Sequence, residues 1–323
     1  MSVLIYAENW DGKFKKLSFE LASYGGKLAE MLQTDLVAVS IGSVEESELK
    51  KLGQYGVGRI YTVHHDSLKV FDSQAYARVI AQVAQKAEAQ AVVLAFNNSG
   101  KALAPRLSVR LNAALASGVS QLPVSIDPFL VSKKVFSGSA SAKMVLSTKV
   151  KILTLSQNSF ELIVKAVTCN IEEIPVAIDS NSVKTAVKET QKHAGKILLT
   201  DAEIVVAGGR GMKSPDNWQP IVDLADLLNA ATACSRPVSD EGWRPHDEHT
   251  GQTGKIIAPN LYIAVGISGA TQHLAGVSSS KCIVAINSDK SAPIFEAAQY
   301  GIVGDAFKVL PKLVEAVKKL KNK

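Results

Sequence analysis

The run LYIAVGI at residues 261–267 carries six apolar side chains and one glycine, then ends abruptly in SGATQH at 268–273. A short apolar run bounded by turn residues reads as a strand of a parallel sheet covered on both faces. Leu274 and Ala275 resume apolar character, as the start of a helix would. A strand feeding a small-residue loop and a helix aims backbone N–H groups from a positive helix end, which suits an anion such as a pyrophosphate. The same pattern recurs four times: residues 204–207 run into GGRG, 231–234 into Ser235-Arg236-Pro237, 282–286 into Asn287-Ser288-Asp289, and 301–303 into Gly304-Asp305. In an open α/β sheet, ligands bind outside the carboxyl ends of the strands. Five such ends carrying Arg, Ser, Asn, Asp and glycine describe one extended site for a phosphate-bearing ligand.

The chain before this region alternates in the same way. Residues 3–7, 36–41, 59–63 and 91–96 read as strands, and helices are expected over 14–32, after Ser43 and Glu46 in a capping-box spacing, around Tyr76–Val83, and over 103–115. That alternation argues for a parallel sheet with helices on both faces. Residues 143–150, 151–155 and 162–168 lack a helical pattern and are rich in β-branched side chains, so they are expected to extend the first sheet as antiparallel strands. Residues 179–195, rich in Ser, Lys and Thr, read as the crossing between domains, and a helix over 310–320 with Leu313, Val314, Val317 and Leu320 on one face closes the chain. The expected class is α/β with two domains, 1–190 and 191–323.

Composition excludes several functions. The formal net charge of +6 comes from lysines spread along the chain, with one cluster at Lys318, Lys319, Lys321 and Lys323 where a helix end accepts them. No nucleic-acid motif or aromatic interleaving accompanies them, so nucleic acid is not the expected partner. Cys169, Cys234 and Cys282 show no CxxC spacing, which indicates neither a disulfide framework nor a zinc site. His246-Asp247-Glu248-His249 lacks a third well-spaced ligand, and Gly266-Ile267-Ser268-Gly269 is not a nucleophile elbow. No apolar run reaches the roughly 20 residues of a membrane span. The opening MSVLIYAENWDG reads straight into a strand, so the expected location is the bacterial cytoplasm, or the mitochondrial matrix for an organellar form.

LYIAVGISGATQHLAG, CIVAIN at 282–287, GGRG at 208–211, SRPVSDEGW at 235–243, GQTGKI at 251–256 and YGIVGD at 300–305 stand in one order. Together they resemble the alpha subunit of electron transfer flavoproteins. The resemblance implies a C-terminal doubly wound FAD-binding domain. It also implies an N-terminal parallel-sheet domain of nucleotide-hydrolase-like type, with added antiparallel strands, that contacts a beta subunit. It carries Arg210 over as an FAD contact, Ser235 to the cofactor's phosphate side and Arg236 to the reactive edge of the isoalloxazine. Gly251, Gln252, Thr253 and Gly254 would lie against the flavin, with Thr253 close to N5. Ser268, Gly269, Ala270, Thr271, Gln272 and His273 would take the rest of the cofactor, with His273 near the pyrimidine ring. Asn287 and Asp305 match adenosine-side positions, and Ala306 adjoins them.

The residues themselves leave rivals open at several of these positions. GGRG is not the dinucleotide fingerprint G-x-G-x-x-G, and Arg210 on a tight turn could be merely solvated. Arg236 could serve an ion pair between domains. The functional expectation is an electron carrier more than an enzyme. It would accept electrons from flavin dehydrogenases such as acyl-CoA dehydrogenases and pass them to a quinone oxidoreductase. An electron-bifurcating subunit is the alternative within the family, and an NAD- or thiamine-dependent enzyme of similar C-terminal fold is the alternative outside it.

Overall fold

The structure is a computed structural model and describes residues 1–138, 140–176, 187–189 and 197–321. Two compact units divide the chain: Met1–Val135 with Ser141–Gln191, and Phe136–Ala140 with Lys192–Lys323. The stretch 179–195, read above as the crossing between domains, lies outside the described residues apart from 187–189.

The first unit opens with β1 (Ser2–Tyr6) and a short ribbon of β2 (Asn9–Trp10) and β3 (Lys13–Phe14). At the ribbon's turn, Asp11 and Gly12 both adopt positive φ, as a two-residue hairpin turn requires. There follow α1 (Lys16–Leu32), β4 (Asp35–Ile41), α2 (Glu46–Gly53), β5 (Arg59–Val63), α3 (Ser73–Lys86), β6 (Ala89–Ala95), α4 (Asn98–Leu111) and β7 (Ala114–Val119). Asp72 and Asn97 cap α3 and α4 by accepting backbone N–H bonds from the first turn. Then come β8 (Ser125–Ile126), β9 (Phe129–Val135), β10 (Ala140–Val145), β11 (Lys151–Leu155) and β12 (Asn170–Glu173). The main sheet has the order β12-β5-β4-β1-β6-β11-β7. Alternate residues of β1 feed two cores: Val3 and Ile5 face one layer, Leu4 and Tyr6 the other. Both faces are covered, which is why the strands read as unbroken apolar runs.

Several expectations change here. Residues 151–155 do not join the first sheet antiparallel; β11 lies between β6 and β7 and runs parallel to both. Residues 162–168 form no strand and reach α2's end through Lys165 N–H to Gln54 O and Val167 N–H to Gly53 O. The antiparallel addition is a separate three-stranded sheet, β10-β9-β8, in which β8 and β9 pair antiparallel. The helix expected over 103–115 stops at Leu111, where Asn112 turns left-handed and β7 begins. The Ser43–Glu46 capping box does not form either; Glu45 holds the N-cap of α2 without a side-chain bond.

The second unit contains β13 (Ile204–Gly208), α5 (Gln219–Leu228), β14 (Ala231–Cys234), α6 (Arg236–Asp240), β15 (Leu261–Val265), α7 (Thr271–Val277), β16 (Cys282–Asn287), α8 (Ile294–Ala297), β17 (Tyr300–Val303) and α9 (Ala306–Lys321). Its five-stranded parallel sheet has the order β14-β13-β15-β16-β17. Ala207, Ala233, Tyr262 and Ala264 face one core with Val277 and Ile294. Val206, Cys234, Ile263 and Val265 face the other with Leu224 and Leu310. The unit is therefore doubly wound. Its final helix starts earlier than expected, and Leu320 is exposed instead of joining the buried stripe.

β11 lies inside the main sheet, flanked by β6 and β7. Leu153 is fully buried on this strand. Leu153→Ala should destabilise the first unit by about 2–5 kcal/mol, read as a lower urea midpoint of its unfolding transition.

Candidate functional site

In the second unit the connection from β13 leads to one side of the sheet, to β14, while the chain then returns across β13 to β15 and continues outward. Strand order therefore reverses between β13 and β15, and loops leaving those strands diverge to open a crevice at their carboxyl ends. A cavity of about 600 Å³ occupies this place, lined by residues that follow β13, β14, β15 and β16. Cavities of roughly 300–1,000 Å³ are the usual size for small-molecule and cofactor sites.

The floor is backbone. Gly209 N–H donates to Val265 O at 2.8 Å, and Gly211 N–H donates to Gly266 O at 3.0 Å. A Cβ on Gly209 would lie 2.2 Å from Gly266 O, and one on Gly211 would lie 2.7 Å from Gly266 Cα. Side chains are excluded from this crossing, so GGRG and GIS can run in contact. Arg210 projects from the crossing, exposed and on the cavity lining.

Past the end of β14, Ser235, buried at the N-cap of α6, and Arg236, exposed at its first position, both line the cavity. Arg236 Nε donates to Asp240 Oδ2 at 3.2 Å, one helical turn on. Its ion pair is thus local to α6. A longer loop then folds back: Thr250 N–H donates to Cys234 O at 3.0 Å and Gln252 N–H donates to Gln272 O at 2.8 Å. This brings Gly251, Gln252 and Thr253 to the lining. Gly276 allows the approach, since a Cβ there would sit 2.5 Å from Gly251 Cα.

After β15, Ser268, Gly269, Ala270, Gln272 and His273 line the cavity. Gly269 has φ +86° and lies against Ile294, whose N–H donates to Ser268 O. Asn287 ties two loops: its Nδ2 donates to Ile267 O at 2.9 Å and its Oδ1 accepts from Asp289 N–H at 3.0 Å. α7 has only seven residues, and His273 N–H already donates to Ala270 O. The helix dipole expected to receive an anion is therefore short.

Four of the residues singled out from the sequence are not on the lining. Gly254 packs behind the loop, where a Cβ would meet His249 O at 2.4 Å. Thr271 is exposed at the first position of α7. Asp305 accepts from Phe307 N–H at 3.0 Å at the start of α9, beside Asn287 through the Gly304 N–H to Asn287 O bond. Ala306 is buried in the core. Conversely, His249, Thr250 and Asp289 line the cavity without having been assigned to the cofactor, although Asp289 was named at the end of a strand and His249 in the HDEH cluster. The short-range cluster HDEH drew attention to metal chemistry, whereas His249 reaches the site through a long-range bridge to Cys234. Glu248 is occupied by Arg244 at 2.6 Å, and among the described residues no group of His, Cys, Asp and Glu could hold a metal ion.

Two family models match, described as the electron transfer flavoprotein domain over residues 3–179 and the electron transfer flavoprotein FAD-binding domain over residues 198–278. The electron transfer flavoprotein subunit alpha of Bacillus subtilis is 35% identical over 321 residues, covering 98% of each chain. That of Syntrophomonas wolfei is 36% identical over 316 residues, again with 98% of each chain covered. The chain belongs to the electron transfer flavoprotein alpha-subunit family. A further relative, the acryloyl-CoA reductase electron transfer subunit beta of Anaerotignum propionicum, is 32% identical and covers 99% of this chain and 96% of its own.

Electron transfer flavoproteins of this family carry FAD, and the cavity's construction fits that cofactor. Bare backbone at Gly211, Gly251 and Gly266 lets a ligand approach closely, and the Arg210 guanidinium suits its phosphate charge. Two buried imidazole atoms, His249 Nδ1 and His273 Nδ1, have no protein partner. Buried polar groups are ordinarily hydrogen-bonded; His249 Nδ1 lies against Gly254, behind the lining, whereas His273 belongs to the cavity wall. Burial, with His249 adding to it, lowers the His273 pKa from 6.5 to about 4. Burial, chiefly, also lowers that of His249, with the nearby His246 acting the same way. His273 is thus a neutral ring near pH 7.

Unfolded His273 binds a proton below about pH 6.5, while the folded ring resists it down to about 4, so folding loses free energy on acidification across that window. Between pH 7 and pH 5 the loss from this one ring is about 2 kcal/mol. In the FAD-free protein, His273→Gln should flatten the fall in urea midpoint between those pH values relative to the unsubstituted chain.

Proposed function

We propose that this chain is the FAD-holding half of a two-subunit electron carrier, and that the cofactor lies in the cavity between the β13 and β15 loops. The carrying observation is the convergence of four strand-end loops on one crevice at the point where strand order reverses. FAD supplies an isoalloxazine ring that takes up and releases electrons, and the protein supplies position, charge and exclusion of water. In this reading Arg210 and Ser235 serve the phosphates, the 251–253 loop lies along the ring, and His273 donates to its pyrimidine side. Asn287, Asp305 and Ala306 belong to the adenosine end. Gly254 and Thr271 act by shaping the backbone.

The chain runs no reaction of its own on a substrate. The first unit, whose added sheet exposes Ile126 and Val145 with Val124 beside it, offers a surface to the beta subunit. Donors are flavin dehydrogenases, acyl-CoA dehydrogenases among them, and the acceptor is a quinone oxidoreductase. The setting is the bacterial cytoplasm, or the mitochondrial matrix for an organellar form. The relative named for acryloyl-CoA reductase supports a second reading, in which a partner complex sends electrons from this flavin to a reductase. Identifying the donor and acceptor that exchange electrons with the purified complex separates the two.

Co-expression with the beta subunit should yield a heterodimer carrying FAD, seen by light scattering and the visible flavin spectrum. A FAD-saturated monomer indifferent to the beta subunit contradicts the two-subunit reading. In the heterodimer, Arg236 holds a permanent cation at the cavity rim and favours electron uptake. The side chain is 64% exposed and paired with Asp240, so water and the carboxylate screen much of its field. Arg236→Ala should lower the first reduction potential by tens of millivolts, where about 59 mV corresponds to about 1.4 kcal/mol. An unchanged potential with FAD retained, in a potentiometric titration, would assign Arg236 to its ion pair alone.

A further inference from the structure

Tyr262 is the second residue of β15 and is fully buried on the core face shared with Ala264. A buried phenol needs a hydrogen-bond partner. Tyr262 has two within reach: Thr250 Oγ1 at 3.4 Å and His273 Nε2 at 2.9 Å. Thr250 owns a single hydroxyl proton, which it donates to the Cys234 carbonyl at 3.2 Å, and a carbonyl can only accept. The phenol proton therefore has two candidate acceptors, a hydroxyl oxygen at long range and an imidazole nitrogen at full bonding distance. The imidazole is the better acceptor and the nearer one.

We propose that Tyr262 is a positioning residue, donating to His273 Nε2 and thereby fixing the imidazole with its proton on Nδ1. A neutral imidazole carries one N–H, so a ring that accepts at Nε2 must donate at Nδ1. His273 Nδ1 makes no hydrogen bond of normal geometry within the chain, although the Thr250 carbonyl lies close enough to the ring to favour its protonated form, and the side chain lines the cavity and is only 7% exposed. An unmet buried donor costs free energy, and that cost is relieved when a ligand supplies an acceptor. With the opposite tautomer the same nitrogen would offer a lone pair and repel a carbonyl oxygen. Tyr262 thus decides whether His273 attracts or repels an acceptor atom of the bound group. The inference rests on the reading that FAD occupies this cavity, and it adds a residue one step removed from the cofactor.

Nitrogen-15 labelling of the histidines in the full chain reads the tautomer directly, in the FAD-loaded complex and after FAD removal. His273 should show a protonated Nδ1 and an unprotonated Nε2 in both. Tyr262→Phe keeps the ring but removes the donor. It should let the Nε2–H tautomer appear and weaken FAD binding about tenfold, or about 1.4 kcal/mol, with an unchanged circular dichroism spectrum. A wild-type ring protonated on Nε2 or on both nitrogens overturns the proposal without recourse to the variant. So does a Tyr262→Phe protein that keeps both the Nδ1–H tautomer and full FAD affinity. Failure of the wild-type complex to bind FAD, with the tautomer as stated, would instead overturn the FAD reading and leave the role of Tyr262 toward His273 standing.

Discussion

Backbone meets backbone where β13 and β15 end, and the cavity depends on that contact. Gly209 and Gly211 donate to the carbonyls of Val265 and Gly266, and no side chain could be placed between them. Two loops that a doubly wound sheet sends to opposite faces are thereby tied at their roots. Everything above the tie then has a fixed base. The 249–255 loop can lean on Cys234 and Gln272, Asn287 can brace the β15 loop, and the arginines are set around a crevice of defined width.

Water exclusion follows from the same packing. Thr250, Tyr262, His249 and His273 are all buried beside a cavity whose rim carries exposed Arg210 and Arg236. Cations stay where water can still reach them, while groups that must be neutral lie deeper. This separation avoids the large cost of burying an unpaired charge. It also gives the two ends of the site different work: charge at the rim and directional hydrogen bonds within.

Much of this was written in the amino-acid order. The strand ends of the second unit were readable because each apolar run breaks into Gly, Ser, Arg or Asn close to where the structure ends the strand, although β15 stops at Val265, two residues short of the run read as a strand. The wholly buried sheet of the first unit was readable for the same reason. Strand direction was not: the composition of 151–155 says that it is a strand, but only the tertiary crossover makes β11 parallel to β6 and β7. β7 was hidden because alanine and leucine continue across Asn112, whose left-handed turn was the single local sign of the break. At the site, His249 and Thr250 were missed since their place comes from pairing with Cys234, fifteen or so residues away. Tyr262 passed as one more apolar residue of a strand, although its hydroxyl is what reaches His273.

The central claim is that FAD lies between the β13 and β15 loops of the second unit. Hydrogen–deuterium exchange of the complex with and without FAD locates the ligand along the chain most directly. Added protection should concentrate at residues 209–212, 249–254 and 266–273, with residues 96–101 at the strand ends of the first unit unchanged. Protection confined to 96–101, with the second unit's loops indifferent to FAD, would contradict the account.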